Sequence, residues 1–136
     1  MSIENDGELR EILKTAKSIA VVGASPKPWR DSNSIAQFLM KKGYTVYPVN
    51  PNYPMILDLK CYPDLKSIPG AIDIVDVFRS PDAVMEIVDE TIAVHAPTLW
   101  LQLGVVNHEA ALKAESVGLR VVMDRCIAVD HRRLIS

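Results

Sequence analysis

VVGASPKPWRDSN, residues Val21–Asn33, carries the order of residue types that decides the fold. An apolar run stops at Gly23, two small residues follow, and a proline-rich basic stretch leads into a polar cluster suited to starting a helix. Gly23 leaves the end of a strand without a Cβ, so a ligand or a neighbouring backbone can come close. Ala24 and Ser25 are small enough to keep that approach open, and Ser25 adds a hydroxyl. A helix beginning near Asp31–Asn33 presents unpaired N–H groups and the positive end of its dipole, with Lys27 and Arg30 in the loop before it. Strand, small-residue turn and helix start together suit a pyrophosphate. A polar, exposed βα loop without a ligand is the competing reading. The glycines of a GxGxxG pattern are absent, since Ser25 and Pro28 hold the later positions.

Working outward, the same change of type recurs. SIAVVG (18–23), YTVYPV (44–49), AIDIVDVF (71–78), TLWLQL (98–103) and LRVVMD (119–124) are short runs rich in β-branched and aromatic residues, which read as strands. Helical stretches separate most of them. In 31–43, Asp31 or Ser32 is the expected cap, Ile35, Phe38 and Leu39 the inward stripe, and Gly43 the terminator. In 80–95, Ser80 is the expected cap with Pro81 at the first helical position. In 107–118, Asn107 caps and Gly118 ends the helix. Residues 4–17 form another helix before the first strand. The segment 50–70 is too rich in proline for a long helix and reads as a loop with a short strand or turn. Alternating strands and helices imply right-handed βαβ crossovers. The near-continuous apolar strands imply burial on both faces of a parallel sheet. The expected fold is α/β: one doubly wound parallel sheet of about five strands with helices on both faces. It forms a single domain over 1–136, an N-terminal helix in 1–16 and a core in 17–136.

The totals fit this. The 136 residues suffice for one ordinary core. Apolar residues make up 49% and charged residues 24% of the chain, a globular composition rather than a disordered one. A net charge of −2 makes a nucleic-acid surface an unfavoured reading. No apolar run approaches the ~20 residues of a membrane span, and the acidic first residues do not resemble a signal peptide. Cys61 and Cys126 lack CxxC spacing, which argues against a zinc site or a disulfide framework and for a reducing cytoplasm. The three histidines show no metal-ligand spacing.

Open sheets of this class bind ligands beyond the C-terminal strand ends. GASPKPWR, VNPN, FRSP, QLGVVN and DRCI meet that edge. A dinucleotide site usually places a carboxylate at the end of the second strand to grip the ribose diol. Here Val49, Asn50 and Pro51 stand there, which weakens a nicotinamide cofactor, although Asn50 and a proline wall could hold an adenine. Arg79, after Phe78, is either a phosphate clamp or a surface partner of Asp82. Gln102 serves either a ligand or a buried backbone group.

In their order, VVGASPKPWRDSN, GYTVYPVNPN, CYPDL, IDIVDVFRSP, LWLQLGVVNHEA and VVMDRC resemble the small stand-alone CoA-binding proteins and, through them, the CoA-binding domain of the succinyl-CoA synthetase α subunit. The resemblance spans residues 10–134. It implies a Rossmann-like fold with the CoA nucleotide over the strand edge. Gly23, Ala24, Ser25 and Lys27 would line the pyrophosphate, Asn50 and Pro51 would border the adenosine, and Phe78 and Arg79 would flank the ligand. One departure is Asp58, where the family commonly has glycine; aspartate tolerates left-handed geometry better than most residues. The phosphorylated histidine of the synthetases belongs to a second domain, for which these 136 residues leave no room.

No Ser–His–Asp set or carboxylate pair can be placed at the edge. Two functions follow as expectations. The first is non-catalytic binding of coenzyme A or an acyl-CoA. The second is an enzyme or enzyme part, either a nicotinamide-dependent oxidoreductase or the CoA-binding subunit of a split acyl-CoA synthetase. Cys126, beside Arg125 on the same edge, is a candidate redox thiol for a mixed disulfide with CoA, because a neighbouring cation favours thiolate. A buried, inert cysteine is the competing reading.

Overall fold

Every residue of β1 (Ser18–Val22) is buried, because this strand lies inside a sheet covered on both sides. The computed structural model describes residues 2–135. Six further strands follow: β2 (Thr45–Val49), β3 (Met55–Ile56), β4 (Leu59–Lys60), β5 (Ile74–Val77), β6 (Thr98–Leu101) and β7 (Arg120–Val122). The helices are α1 (Asp6–Thr15), α2 (Asp31–Lys41), α3 (Val84–Ala93), α4 (His108–Ser116) and α5 (Ile127–Leu134). Five strands form one parallel sheet in the order β2-β1-β5-β6-β7. The fold is therefore the expected single-domain, Rossmann-like α/β arrangement. The chain winds outward in both directions from β1 and β5, so their C-terminal ends flank the topological switch point.

The period-two alternation of each strand divides the core. Ala20, Val22, Val75, Val77, Leu99, Leu101 and Val121 face a layer with α3 and α4, through Val84, Ile87, Val88, Ala110 and Ala114. Ile19, Val21, Ile74, Trp100 and Val122 face the other layer, where Leu9, Ile12 and Leu13 of α1, Leu39 of α2 and Ile127 of α5 pack. Asp76 interrupts this apolar scheme with a carboxyl group. It is registered between Val21 and Trp100 and wholly buried. Among the described residues neither of its carboxylate oxygens has a hydrogen-bond partner. Burial pushes its pKa well above the ordinary carboxyl value.

Several local expectations change. Helix α2 is capped by the backbone of Arg30, without a side-chain bond, so Asp31 is the first helical residue rather than the cap, and Ser32 is buried in the first turn. Its start is held instead by Asn33, whose Nδ2 donates to the Ser25 carbonyl at 2.8 Å. Ser80 precedes a 3-10 turn (Pro81–Ala83) without a side-chain cap bond, and α3 begins only at Val84. Asn107 does cap α4, accepting from the Ala110 N–H at 3.0 Å. Within 50–70, β3 and β4 form a small antiparallel hairpin. Leu57 and Asp58 both take positive φ at its turn, +55° and +61°, so the aspartate does hold a left-handed position.

Helix α5 lies beyond the helices expected from the sequence, although its last turn carries His131, Arg132 and Arg133, which suit a helix C-terminus. Its cap residue, Cys126, makes no side-chain cap bond. Gln102, just past β6, supplies the acceptor: its Oε1 receives the buried Ile127 N–H at 3.0 Å. The glutamine thus satisfies backbone at a helix start on another element.

Candidate functional site

At the end of β1 the chain turns through Gly23, with φ at +88°. A Cβ here would lie 2.7 Å from the Phe78 carbonyl oxygen and 3.1 Å from Arg79 Cδ. The neighbour requiring the glycine is therefore the end of β5. The close approach seals the sheet at the switch point, and the Phe78 N–H donating to Val22 O at 2.8 Å fixes it.

The loop beyond Gly23 is braced from within. The Ser25 hydroxyl accepts the Lys27 N–H at 3.1 Å, and the Arg30 N–H donates to Lys27 O at 3.1 Å. Asn33 is held in turn by Gln37, whose Nε2 donates to Asn33 Oδ1 at 2.8 Å. Among the described residues the N–H groups of Ser25, Asp31 and Ser32 have no protein acceptor. Two of these open the first turn of α2, where unpaired donors and the helix dipole favour an anion.

Two hollows meet at this edge. The larger, about 610 Å³, is lined by Gly23, Ala24, Ser25, Lys27, Arg30, Asn50 and Phe78 of the expected residues. Trp29, Asp31, Ser32, Asn52 and Tyr53 complete its wall. The smaller, about 340 Å³, shares Gly23, Asn50 and Asn52 with the first and adds Pro51 and Arg79, with Asp64, Glu86 and Glu90 opposite. All nine residues expected from the sequence thus lie on one of two adjoining hollows at the β1–β5 switch point.

Charge is distributed unevenly between them. Lys27, Arg30 and Arg79 are exposed, and none of them forms an ion pair among the described residues. In particular, Arg79 does not pair with Asp82. Lys27 Nζ stands 5.9 Å from the centroid of the Trp29 ring. The smaller hollow sets three carboxylates against one arginine, whereas the larger sets Asp31 against Lys27 and Arg30, so the larger one is the more favourable place for phosphate.

Asn50 has a different role from the one its position suggests. Its Nδ2 donates to Ala24 O at 2.9 Å, and its Oδ1 accepts the Asn52 N–H at 2.9 Å. Its own N–H donates to Tyr62 O at 2.9 Å, and its carbonyl receives the Cys61 thiol at 3.4 Å. The amide ties the loop after β2 to the loop after β1 rather than standing free towards the hollow. Burial pushes the Cys61 thiol up, with the bond to Asn50 opposing.

Cys126 lies apart from both hollows. It follows β7, which is two strands beyond β5, a separation of about 10 Å across the sheet. It is half-buried. The guanidinium of Arg125 faces Asp130, with Nε–Oδ2 at 2.7 Å and Nη2–Oδ1 at 2.9 Å, so the neighbouring cation is engaged elsewhere than at the thiol. Among the described residues no group of three or more His, Cys, Asp or Glu is placed to hold a metal ion, and no helix is long and apolar enough to cross a membrane.

The family model described as CoA binding domain matches residues 17–132. An uncharacterized protein of Bacillus subtilis (strain 168), YneT, is 40% identical over 131 residues, 96% of this chain and 97% of that protein. Acetate–CoA ligase [ADP-forming] I of Archaeoglobus fulgidus is 28% identical over 134 residues, 91% of this chain but only 20% of the ligase. The solved structure of a hypothetical protein from Pyrococcus horikoshii OT3 superposes with a TM-score of 0.96 at 44% identity, covering 100% of this chain and 97% of that one.

Proposed function

We propose that this chain, which belongs to the family of CoA-binding domains, holds coenzyme A or an acyl-CoA at the β1–β5 switch point without acting chemically on it. The observation that carries this reading is the larger hollow. Among the described residues the backbone donors of Ser25, Asp31 and Ser32 have no protein acceptor and Lys27 and Arg30 have no ion-pair partner, and all of them line one space. Such an arrangement recognises a polyanion through direct donors and a helix terminus together. The acids of the smaller hollow disfavour phosphate there, so that hollow suits the uncharged part of the ligand, with Arg79 between the two.

The end of β2 weighs against a nicotinamide cofactor. It has no carboxylate, and the amide of Asn50 is committed to Ala24 and Asn52. The relation to the ADP-forming acetate–CoA ligases, of which this chain spans 20% in one case, favours a second reading. In it the chain supplies bound CoA to a separate ligase chain, and CoA-dependent co-elution with that chain would be its test.

Ligand released from the purified protein, analysed by mass spectrometry, is expected to be CoA or an acyl-CoA; a dinucleotide in its place would overturn the assignment. Charge removal gives an independent check. Lys27→Ala and Arg30→Ala should each weaken CoA binding by roughly tenfold or more, the value of one charge-assisted hydrogen bond. Arg79→Ala should weaken it less, because Glu86 and Glu90 share its hollow. All three side chains are exposed, so thermal stability should be unchanged. Parent-like affinity in Lys27→Ala and Arg30→Ala would place the phosphates elsewhere.

A further inference from the structure

The two tryptophans of this chain have opposite environments. Trp100 is wholly buried, with its indole N–H donated to Arg125 O at 2.9 Å. Trp29 is 76% exposed, the highest value among the large apolar side chains described. It stands on the wall of the larger hollow, two residues before the first residue of α2. A second aromatic side chain, Tyr53, 36% exposed, lines the same hollow from the loop after β2. The Asn50 amide fastens these two loops to each other, so the rings belong to one braced rim.

We propose that Trp29 is the base platform of this site. The adenine of the bound ligand stacks on the indole, and Tyr53 borders it from the facing loop. The inference rests on the CoA reading above and adds residues which that reading did not need. Three observations favour a nucleobase over another occupant. Lys27 Nζ lies 5.9 Å from the ring centroid, which puts a cation beside the ring where it can meet a phosphate of the same nucleotide. The unpaired N–H groups of Asp31 and Ser32 open on the same hollow. The ribose of CoA carries a 3′-phosphate in place of a free diol, and the end of β2, where no carboxylate stands, does not repel it; the exposed rings of Trp29 and Tyr53 are the apolar surfaces of the hollow left for its base. Aromatic stacking supplies that recognition without any particular pattern of base-edge donors.

The experiment divides CoA into its two halves. Adenosine 3′,5′-bisphosphate and 4′-phosphopantetheine are titrated separately, alongside CoA, into the parent protein and into Trp29→Ala, Trp29→Phe and Tyr53→Ala. Calorimetry gives affinity, and tryptophan emission reports on Trp29 against the constant background of Trp100. The bisphosphate and CoA are expected to quench the parent's emission, and phosphopantetheine is not. Trp29→Ala should lower affinity for CoA and the bisphosphate by roughly tenfold while leaving phosphopantetheine unaffected. Trp29→Phe should keep most of the affinity and lose the quenching. Tyr53→Ala should show a smaller loss confined to the two adenine-bearing ligands. Parent-like binding of CoA and the bisphosphate by Trp29→Ala would overturn the platform and leave CoA binding standing, with Trp29 then exposed for a protein partner. Failure of the parent to bind CoA would overturn both readings.

Discussion

Gly23→Ala is expected to destabilise the protein by about 2–4 kcal/mol, on the order of 10 °C in Tm. Two costs combine. At φ +88° an alanine pays the left-handed penalty. Its methyl would also stand 2.7 Å from the Phe78 carbonyl oxygen. That oxygen is backbone at the end of β5 and cannot swing aside, because the adjoining Phe78 N–H is bonded to Val22 O at 2.8 Å. On the other side, the Gly23 N–H is held by Val49 O at 3.0 Å. Relief requires β1 and β5 to separate at the switch point, which would also move Ser25 and the loop that follows. Gly43 separates the two costs. Its φ is +95°, but a Cβ there would meet nothing within 4 Å. Gly43→Ala should therefore show the conformational cost alone, about 1–2 kcal/mol. Equal losses in the two variants, measured by urea unfolding, would remove the close approach of β1 and β5 from the account.

Asp76→Val should have a large effect of the opposite sign, stabilising the protein at pH 7 by about 1–3 kcal/mol. The carboxyl group lies in the middle of the central strand without a donor facing either oxygen among the described residues. Valine is β-branched and apolar, and suits both the strand and its neighbours Val21 and Trp100. The pH dependence identifies the cause. Burial raises the folded-state pKa of Asp76. Below the unfolded carboxyl value of about 3.9 the group is protonated in both states and carries no ionisation penalty. As pH rises, the unfolded chain releases its proton while the folded chain retains it, so stability falls until the pH passes the raised folded value. The parent should thus lose stability from about pH 4 upward relative to Asp76→Val. His131 gives the opposite trend. Burial, with Lys42 nearby, lowers its pKa, so its contribution declines as pH falls below about 6.5. That trend is common to parent and variant and cancels in the difference between them. A flat difference from pH 4 to pH 8 would mean that Asp76 is not held protonated by the fold.

What the sequence made legible depends on whether the relevant interaction is local. Strands β1, β5 and β6 announce themselves because burial on both faces leaves them almost no polar residues. The Asn107 cap is local, three residues from the N–H it accepts, and was readable for that reason. The start of helix α5 is not, because the group satisfying its first N–H is Gln102, on a different element. The cap of α2 was misplaced for a related reason: Asn33 reaching back to Ser25 O organises that start, and the bond exists only once the loop is folded. The site shows the same division. Gly23, Ser25, Lys27 and Arg30 stand close together in the chain, and the β1–loop–α2 pattern brings them to one hollow. Asn50 was placed at the right edge, but its amide faces inward to Ala24 and Asn52, a choice that pairing of the two loops makes. Nothing local in the sequence marks Trp29 and Tyr53, because aromatic residues are ordinarily core candidates, and only the fold leaves these two on the rim. Cys126 reaches the same sheet edge in principle, but the strand order puts it two strands beyond β5.

Coenzyme A is expected to occupy the hollow at the β1–β5 switch point. Calorimetric titration of the purified protein with CoA, NAD and ATP, after removal of any ligand carried through purification, tests it most directly. One-to-one binding of CoA in the micromolar range or tighter is expected, with NAD and ATP weaker. NAD binding more tightly than CoA would contradict it.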